Sequence, residues 1–239
     1  TDYQGKVYVN VTGRNDWSST LPSSNNSYFY PSVNTSILFN RIFDISPKID
    51  LLKLRLAYAQ AGNDADPYSI LTPYNYQPLW NGIPSLSESS QLNNLNLKPE
   101  KSSTTEIGAE VSLFKGRLGL DVTAYSTSSK NQILPLPTPV SSGYRSRVIN
   151  AGEISNKGLE VELTAVPVKL HNGFEWNIMV NFARNISKVV SLAPGVERMV
   201  QEGPGEGASI EARGGETMGA LDRPGCQGGP GGAPQGRTG

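Results

Sequence analysis

Residues that build covalent or metal-bound frameworks are almost absent from this sequence. Its 239 residues include one cysteine, Cys226, and one histidine, His171, which lies in a short polar turn. A single cysteine excludes a disulfide framework and a cysteine zinc site. A lone turn histidine does not supply a zinc ligand set either. We therefore predict no metal and no other cofactor.

Long apolar runs and an excess of one charge are missing as well. No segment approaches the roughly 18 consecutive apolar residues of a transmembrane helix. The 21 basic and 21 acidic residues cancel, which removes the electrostatic reason for a nucleic-acid partner. Hydrophobic residues make up 37% of the chain, below the ~45–50% of ordinary globular domains. A barrel with a polar interior is compatible with this composition, because each strand needs only one apolar face.

Alternation with a period of two is what the sequence does contain. Within segment 150–183, Leu159, Val161 and Leu163 point one way, whereas Glu160 and Glu162 point the other. Similar alternation predicts further strands, which cover residues 6–13, 29–43, 51–63, 104–114 and 118–126. Together with the two strands of segment 150–183, about seven strands are predicted, and no helix of useful length.

The predicted connections alternate in length. Long ones cover residues 14–28, 64–101 and 127–147, and short ones cover residues 44–50, 115–117 and 167–173. In an up-and-down meander, all long loops then lie at one end of the sheet and all tight turns at the other. Outer-membrane barrels have this asymmetry. Strands of roughly 9–13 residues also suit a tilted membrane crossing better than the ~5–6 residues of soluble strands.

Carboxylates occupy the face opposite the apolar one, namely Glu106, Glu110, Asp121, Glu160, Glu162 and Glu175. In a soluble sheet they would form the solvent side, and in a barrel they would line a wet interior. Strand length and loop asymmetry favour the barrel, with the apolar face toward lipid. Glu160 and Glu162 are also a conceivable pair for glycoside hydrolysis. Strand neighbours two apart are more simply polar lining, so we predict no catalytic residue and no enzyme.

Three stretches resemble one family. They are "RNDWSS" (14–19), "LKPE" (97–100) and "NAGEISNKGLE" (150–160). They are similar to the barrel of SusC-like (RagA-type) TonB-linked outer-membrane transporters, and the resemblance covers about residues 3–212. It implies a bacterial outer-membrane barrel of about 22 strands that is closed by a plug domain. It also implies a SusD-like lipoprotein lid and a TonB complex that drives import of oligosaccharides or, in some members, peptides.

Four aromatic residues in the long connections have a candidate role at the mouth of such a barrel. Trp17, Tyr74, Tyr76 and Trp80 stand among amide, hydroxyl and carboxylate side chains. A flat ring offers its face to the C–H surface of a sugar, while amides and carboxylates satisfy the hydroxyls. We predict these four as ligand-binding residues. The other possibilities are that they pack the loops together or contact the lipoprotein lid.

The chain departs from the family pattern at both ends. It contains no plug and no TonB box, and about seven strands are too few to close such a barrel. From residue 213 to 239 the alternation stops and glycine and proline are frequent, a composition that does not bury enough surface to order itself. We expect a disordered tail there, either non-native and out of frame or genuinely flexible. The sequence thus predicts a partial barrel over residues 1–212 and a tail over residues 213–239.

The sequence therefore predicts an all-β protein that forms an open segment of a large transmembrane β-barrel, with antiparallel strands in an up-and-down meander. Two alternatives stay open: a passive porin-like channel with the same wall, and a soluble β-sandwich that binds carbohydrate. The sandwich requires Leu159, Val161, Phe174 and Trp176 to be buried against a second sheet. Exposure of these four side chains would exclude the sandwich.

Overall fold

The fold is almost entirely β. The structure is a computed structural model that describes residues 1–192, 196, 198–201, 209–217 and 220–222. In chain order the described strands are β1 (Asp2–Tyr3), β2 (Val7–Trp17), β3 (Ser27–Leu38), β4 (Ile49–Asn63), β5 (Tyr74–Trp80), β6 (Ile83–Glu88), β7 (Gln91–Leu92), β8 (Glu100–Leu113), β9 (Leu118–Lys130), β10 (Ile133–Pro137), β11 (Ser146–Asn150), β12 (Glu153–Lys169), β13 (Glu175–Ser191), β14 (Arg198–Gln201), β15 (Ser209–Arg213) and β16 (Ala220–Asp222). One helical turn, α1 (Phe39–Ile42), follows β3, and a 3-10 turn (Val140–Ser142) follows β10.

The main sheet has the strand order β1-β2-β3-β4-β8-β9-β12-β13. Every neighbouring pair is antiparallel, which confirms the up-and-down meander of seven long strands. The first and last strands of this order lie at its two edges, so the sheet is open, as predicted. Two small sheets, β5-β6 and β10-β11-β7, are formed within the long connections that follow β4 and β9.

The strands are longer than the alternation predicts. β2 continues to Trp17, which pairs with Ser27 of β3. Polar residues extend these strands because the neighbouring strand satisfies their backbone groups, whatever their side chains. The stretch predicted as irregular after β4 contains the β5–β6 hairpin. Periodicity therefore located the strands and missed their ends.

The predicted strand 29–43 ends early, at Leu38. The chain turns through α1, where the Asn40 side-chain amide donates a hydrogen bond to the Asp50 carbonyl oxygen at 3.1 Å. This side chain links the turn to the start of the next strand. The prediction of a continuous strand was wrong here because apolar residues of α1 continue the alternation across the turn.

Strand register places all the apolar stripes on one side of the sheet. Val161 of β12 pairs with Val122 of β9 and with Phe182 of β13. Val122 pairs in turn with Ala109 of β8, and Ala109 with Leu54 of β4. The same row pattern continues into β3 and β2. We call this side of the main sheet the apolar face, and the opposite side the polar face.

No second layer covers the apolar face in the part of the chain that the structure describes. Leu159 is 40% exposed, Phe174 57% and Trp176 53%. Val161 is only half-buried. The β-sandwich prediction is wrong, because it required these four side chains to be buried against a second sheet.

The buried apolar residues lie almost entirely in the long connections. Among the described residues they are Leu21, Ala65, Leu97, Leu136, Val148, Ala151 and Val189. Only Val189 belongs to a strand of the main sheet. Among the described residues, the main sheet therefore has no core of its own, and its apolar face stays largely exposed. None of the described helices is long and apolar enough to cross a membrane.

The chain beyond β13 forms a small sheet with the order β14-β15-β16. It contacts the end of β13, where the Val189 amide donates to the Glu216 carbonyl oxygen at 3.0 Å. Residues 213–217 and 220–222, within the predicted tail, thus lie in a turn and a strand whose backbone groups are paired. Residues 218–219 and 223–239, including Cys226, lie outside the described residues. The predicted disorder of the tail stays a prediction there.

Candidate functional site: the polar face and the loop core

The polar face carries charged side chains in neighbouring rows. One row runs across five strands as Lys53, Glu110, Asp121, Glu162 and Asn181. The next row runs as Arg55, Gly108, Thr123, Glu160 and Ala183. The register thus brings together carboxylates that the sequence placed on separate strands. Glu175 lies away from them, at the short-turn end, where it pairs with Lys169 at 2.8 Å.

An ion-pair network joins three strands of the polar face. The Arg55 guanidinium donates two hydrogen bonds to the Asp121 carboxylate, both at 2.7 Å. It also donates to the Thr123 hydroxyl at 3.0 Å and to Glu110 at 3.4 Å. Lys53 Nζ lies 3.2 Å from the same Glu110 oxygen. Two parallel bonds between a guanidinium and a carboxylate are strong and fix the arginine in one orientation.

Gly108 makes the long reach of Arg55 possible. Arg55 belongs to β4 and Asp121 to β9, and β8 runs between these two strands. The guanidinium lies directly over Gly108, where a Cβ would be 2.9 Å from Nη2. A similar arrangement occurs at Gly158, over which the ring of Tyr125 lies. Glycines at these positions let long side chains lie flat on the polar face.

We expect Gly108→Ala to weaken the Arg55–Asp121 ion pair, because the new methyl group displaces the guanidinium. A double-mutant cycle with Asp121→Asn measures this effect. In the intact protein, the two changes should be non-additive in the free energy of unfolding by about 1 kcal/mol, within the ~0.5–3 kcal/mol typical of contacting residues. Ala57→Gly, on the neighbouring strand, is the control. Additive costs would show that Gly108 has no part in positioning Arg55.

Glu160 and Glu162 lie beside this network and face open space. They line a groove of about 260 Å³ together with Asp121, Thr123 and Asn181. The groove offers carboxylate and amide groups to a polar solute. Among the described residues, no three histidine, cysteine or carboxylate side chains gather in a way that would hold a metal ion. The carboxylate, amide and hydroxyl groups of the groove equip the polar face for hydrogen bonding.

The three long connections share one hydrophobic core. Leu97, with 0% of its surface exposed, contacts Leu21, Ala65 and Val148. Leu21 belongs to the connection after β2, Ala65 and Leu97 to the one after β4, and Val148 to β11 in the one after β9. We call this the loop core. Because it joins all three connections, the long-loop end of the sheet is a folded structure of its own.

Asn150 links two of these connections by hydrogen bonds. Its side-chain amide donates to the Lys98 carbonyl oxygen at 2.7 Å and to that of Asn131 at 3.0 Å, and its Oδ1 accepts from the Lys98 amide at 2.8 Å. Asn25, from the first connection, donates to the Leu97 carbonyl oxygen at 3.2 Å. The resemblance had singled out "LKPE" and "NAGEIS" without giving these residues a role. Their contact was not predicted, because it joins residues 52 positions apart.

The four predicted ligand-binding residues all lie at the long-loop end. Trp17 ends β2, and Tyr74, Tyr76 and Trp80 lie on β5. All four are largely exposed, Tyr76 to 87%. The structure thus brings three of them together in the β5–β6 hairpin, where Tyr76 pairs with Leu86. Their contact with a ligand stays a prediction.

A tyrosine holds the hairpin against the third long connection. The Tyr144 hydroxyl donates to a Glu88 carboxylate oxygen at 2.5 Å. The bond to this carboxylate raises the pKa of Tyr144, since deprotonation would remove the donor and place two negative charges together. Glu88 pairs across the hairpin with Tyr74. This bond therefore ties the hairpin that carries Tyr74, Tyr76 and Trp80 to the third long connection.

A second cavity, of about 240 Å³, lies where the three long connections meet the sheet. Tyr28, Tyr30, Lys98, Glu100 and Asn131 are among its lining residues. Aromatic rings, amides and charges of both signs suit it to a polar solute. It was not predicted from the sequence, because its walls come from four separate segments that share no periodicity.

Comparison with known proteins agrees with this architecture. The family described as TonB dependent receptor-like, beta-barrel matches residues 2–202. TonB-dependent receptor P3 of Formosa agariphila is 28% identical over 233 residues, which cover 92% of this chain and 23% of that protein. TonB-dependent receptor SusC of Bacteroides thetaiotaomicron is 26% identical over 196 residues, which cover 77% of this chain and 19% of that protein. The chain thus spans less than a quarter of the length of these relatives.

Solved structures show the same fold. The structure of the RagAB peptide transporter superposes with a TM-score of 0.77 at 24% identity, over 88% of this chain and 23% of that one. The "closed-closed" state of the RagAB peptide importer gives 0.76 at the same identity, over 87% of this chain and 23% of that one. Together with the family match over most of the chain, this confirms the resemblance and the open barrel segment. The chain belongs to the TonB-dependent receptor β-barrel family, as a segment of a SusC-like (RagA-type) barrel.

Proposed function

We propose that this chain forms part of the barrel wall of a TonB-dependent transporter in the bacterial outer membrane. The transporter imports oligosaccharides or peptides. The observation that carries the proposal is the contrast between the two sides of one sheet. Among the described residues, one side is apolar and uncovered, and the other carries a hydrogen-bonded network of charge. A barrel wall in a membrane gives each side a suitable environment, with lipid against the apolar face and a water-filled interior against the polar face.

Import then requires the polar face to replace water around a large solute. Glu160, Glu162 and Asn181 offer acceptors and donors along the wall, beside the fixed Arg55–Asp121 pair. At the mouth, Trp17, Tyr74, Tyr76 and Trp80 are the proposed first contacts. Amphipathic rings exposed on a held hairpin suit the apolar surface of a sugar ring or of a peptide side chain.

The partners of the intact transporter follow from the same assignment. A SusD-like lipoprotein closes the mouth over the loop core, and a TonB complex acts through a plug region that precedes the barrel segment of residues 1–212. The support is the likeness to SusC and to the RagAB assembly. Dependence of uptake on TonB separates this proposal from a passive porin-like channel with the same wall.

Site-directed spin labelling tests which face meets lipid. Single cysteines are introduced at Val161, Glu162 and Leu163 of the full-length protein in a Cys226→Ser background, and the labelled protein is placed in phospholipid vesicles. We expect labels at Val161 and Leu163 to be accessible to oxygen, and the label at Glu162 to a water-soluble nickel complex. Equal access of the nickel complex to all three labels would contradict the proposal. Inaccessibility at Val161 and Leu163 to both reagents would point to a protein layer instead.

A further inference from the structure

The apolar face ends in a row of cations toward the long loops. Lys101 of β8, Lys130 of β9, Lys157 of β12, and Arg184 and Lys188 of β13 lie there, and all five are exposed. We call these five residues the cationic belt. They belong to four adjacent strands, which span about 15 Å at the usual strand spacing.

Register places the cationic belt on the same side as the apolar residues. Lys157 lies two residues from Leu159 along β12, and Arg184 pairs directly with Leu159. Ala124 of β9 pairs with Leu159. Lys130 is an even number of residues from Ala124 along β9, so both side chains point to the same face. Lys101 pairs with Lys130. The belt begins where the apolar rows end. Successive rows on one face are two residues apart, which is about 7 Å along the strand.

The polar face of the same rows carries one charged residue, Glu106, which pairs with Tyr125. The other residues there are Thr104, Thr127, Asn156, Gly158, Asn185 and Ser187. Because successive residues of a strand point to opposite sides, the cations of the belt lie on the other side of the sheet from these residues. They face outward, above the surface that we assign to lipid.

In the described part of the chain, most cations of the belt have no carboxylate partner. Lys130 lies 3.5 Å from Glu153. Among the residues that the structure describes, that is the belt's one ion pair. Lys101 lies directly across from Lys130, and like charges in that position repel. Glu153 offsets part of this repulsion, and an anion from outside the chain would relieve the rest.

Hydroxyl groups stand between the cations. Ser103 and Thr105 of β8 pair with Ser128 and Ser126 of β9, in the rows that separate Lys101 and Lys130 from the apolar band. Hydroxyls and ammonium groups both donate hydrogen bonds, and a guanidinium such as that of Arg184 binds phosphate oxygens in pairs. The chemistry of the belt thus matches a phosphate group better than a neutral headgroup.

We propose that the cationic belt binds the phosphate groups of glycolipid headgroups in the outer leaflet of the membrane, with their acyl chains lying on the apolar face below. The inference rests on the proposed function, because it needs that face in lipid and the long loops outside. Continuity of the belt with the apolar face favours a lipid over free phosphate. The charge on the headgroup offsets the repulsion between Lys101 and Lys130.

Binding of lipid A to the delipidated full-length protein in detergent tests this inference by native mass spectrometry. One variant carries Lys101→Gln, Lys157→Gln and Arg184→Gln. The matched control carries Lys48→Gln, Lys115→Gln and Arg117→Gln, which remove the same charge from exposed residues at the short-turn end. We expect the belt variant to lose affinity for bisphosphorylated lipid A by roughly fivefold for each cation, or roughly 100-fold in total. The control should bind like the wild type.

Three other results would overturn the inference. They are equal binding by wild type and belt variant, equal binding of lipid A without its phosphates, and displacement of lipid A by excess inorganic phosphate. The last would identify free phosphate as the ligand. A spin label at Val161 in the same samples separates the two proposals. If that label lies in lipid while the belt substitutions leave lipid A affinity unchanged, only the inference fails. If the label lies in water, the proposed function fails as well.

Discussion

Phe182→Lys is expected to lower the free energy of unfolding by about 2–4 kcal/mol, whereas Asn181→Lys should cost less than about 1 kcal/mol. The two residues are neighbours on β13 and both are exposed, Phe182 to 54%. Phe182 lies on the apolar face, paired with Val161, and Asn181 on the polar face, paired with Glu162. In water, both substitutions would fall near the ~0.5 kcal/mol of ordinary surface changes. The two costs differ only if the sheet lies between lipid and a water-filled interior.

Urea unfolding of the full-length protein in phospholipid vesicles measures this difference. Phe182→Leu is the matched control, since it keeps an apolar side chain at the same site and should cost little. Equal losses of unfolding free energy in Phe182→Lys and Asn181→Lys would contradict the assignment of the apolar face to lipid. The comparison needs no ligand and no partner, so it tests the wall by itself.

Leu97→Ala is expected to destabilise the loop core by about 2–5 kcal/mol, the usual cost of a cavity left by a buried leucine. Leu97 is fully buried against Leu21, Ala65 and Val148. Leu95, two residues earlier in the same connection, is 66% exposed, and Leu95→Ala should stay within ~0.5 kcal/mol. Among the described residues, the main sheet meets this core only through the partly buried Tyr28 of β3, so the loss should be largely local.

Hydrogen exchange distinguishes local from global loss. In Leu97→Ala we expect faster exchange at the Lys98 amide, which donates a hydrogen bond to Asn150 Oδ1. We expect the same in the connections that share the loop core. Amides within β8 and β9 should keep the protection of the wild type. Uniform acceleration through the main sheet would show that the loop core and the sheet unfold together. No change at all would mean that the loops do not depend on Leu97.

Charge of opposite sign lies on opposite sides of the sheet. The polar face carries Glu106, Glu110, Asp121, Glu160 and Glu162, with Lys53 and Arg55 neutralising part of that charge. The apolar face carries its charge at the long-loop end, in the cationic belt and in Glu153, which pairs with Lys130. The net charge of zero hides this separation. The overall charge is therefore a poor guide to what each surface binds.

Sequence periodicity predicted the main sheet well because each strand is half apolar. The alternation of Leu159, Val161 and Leu163 identifies the apolar face of β12 from that strand alone. Strand ends were predicted less well, as at Trp17, because backbone pairing with β3 continues where the side chains no longer alternate. The β5–β6 hairpin was missed for a related reason. Their chemistry predicts Tyr74, Tyr76 and Trp80 as ligand-binding residues, but the stretch that carries them lacks clear alternation, so the sequence predicts no strand there.

The sequence by itself determined that this chain forms long antiparallel strands with one apolar and one polar face, since successive side chains of a strand point to opposite sides. Only the tertiary structure decided which strands are neighbours. That arrangement lets Arg55 reach Asp121 across Gly108 and aligns the cationic belt over four strands. It also decided that Leu97 and Asn150 join loops from distant parts of the chain. Loops have no periodicity, so their contacts depend on where the strands place their ends.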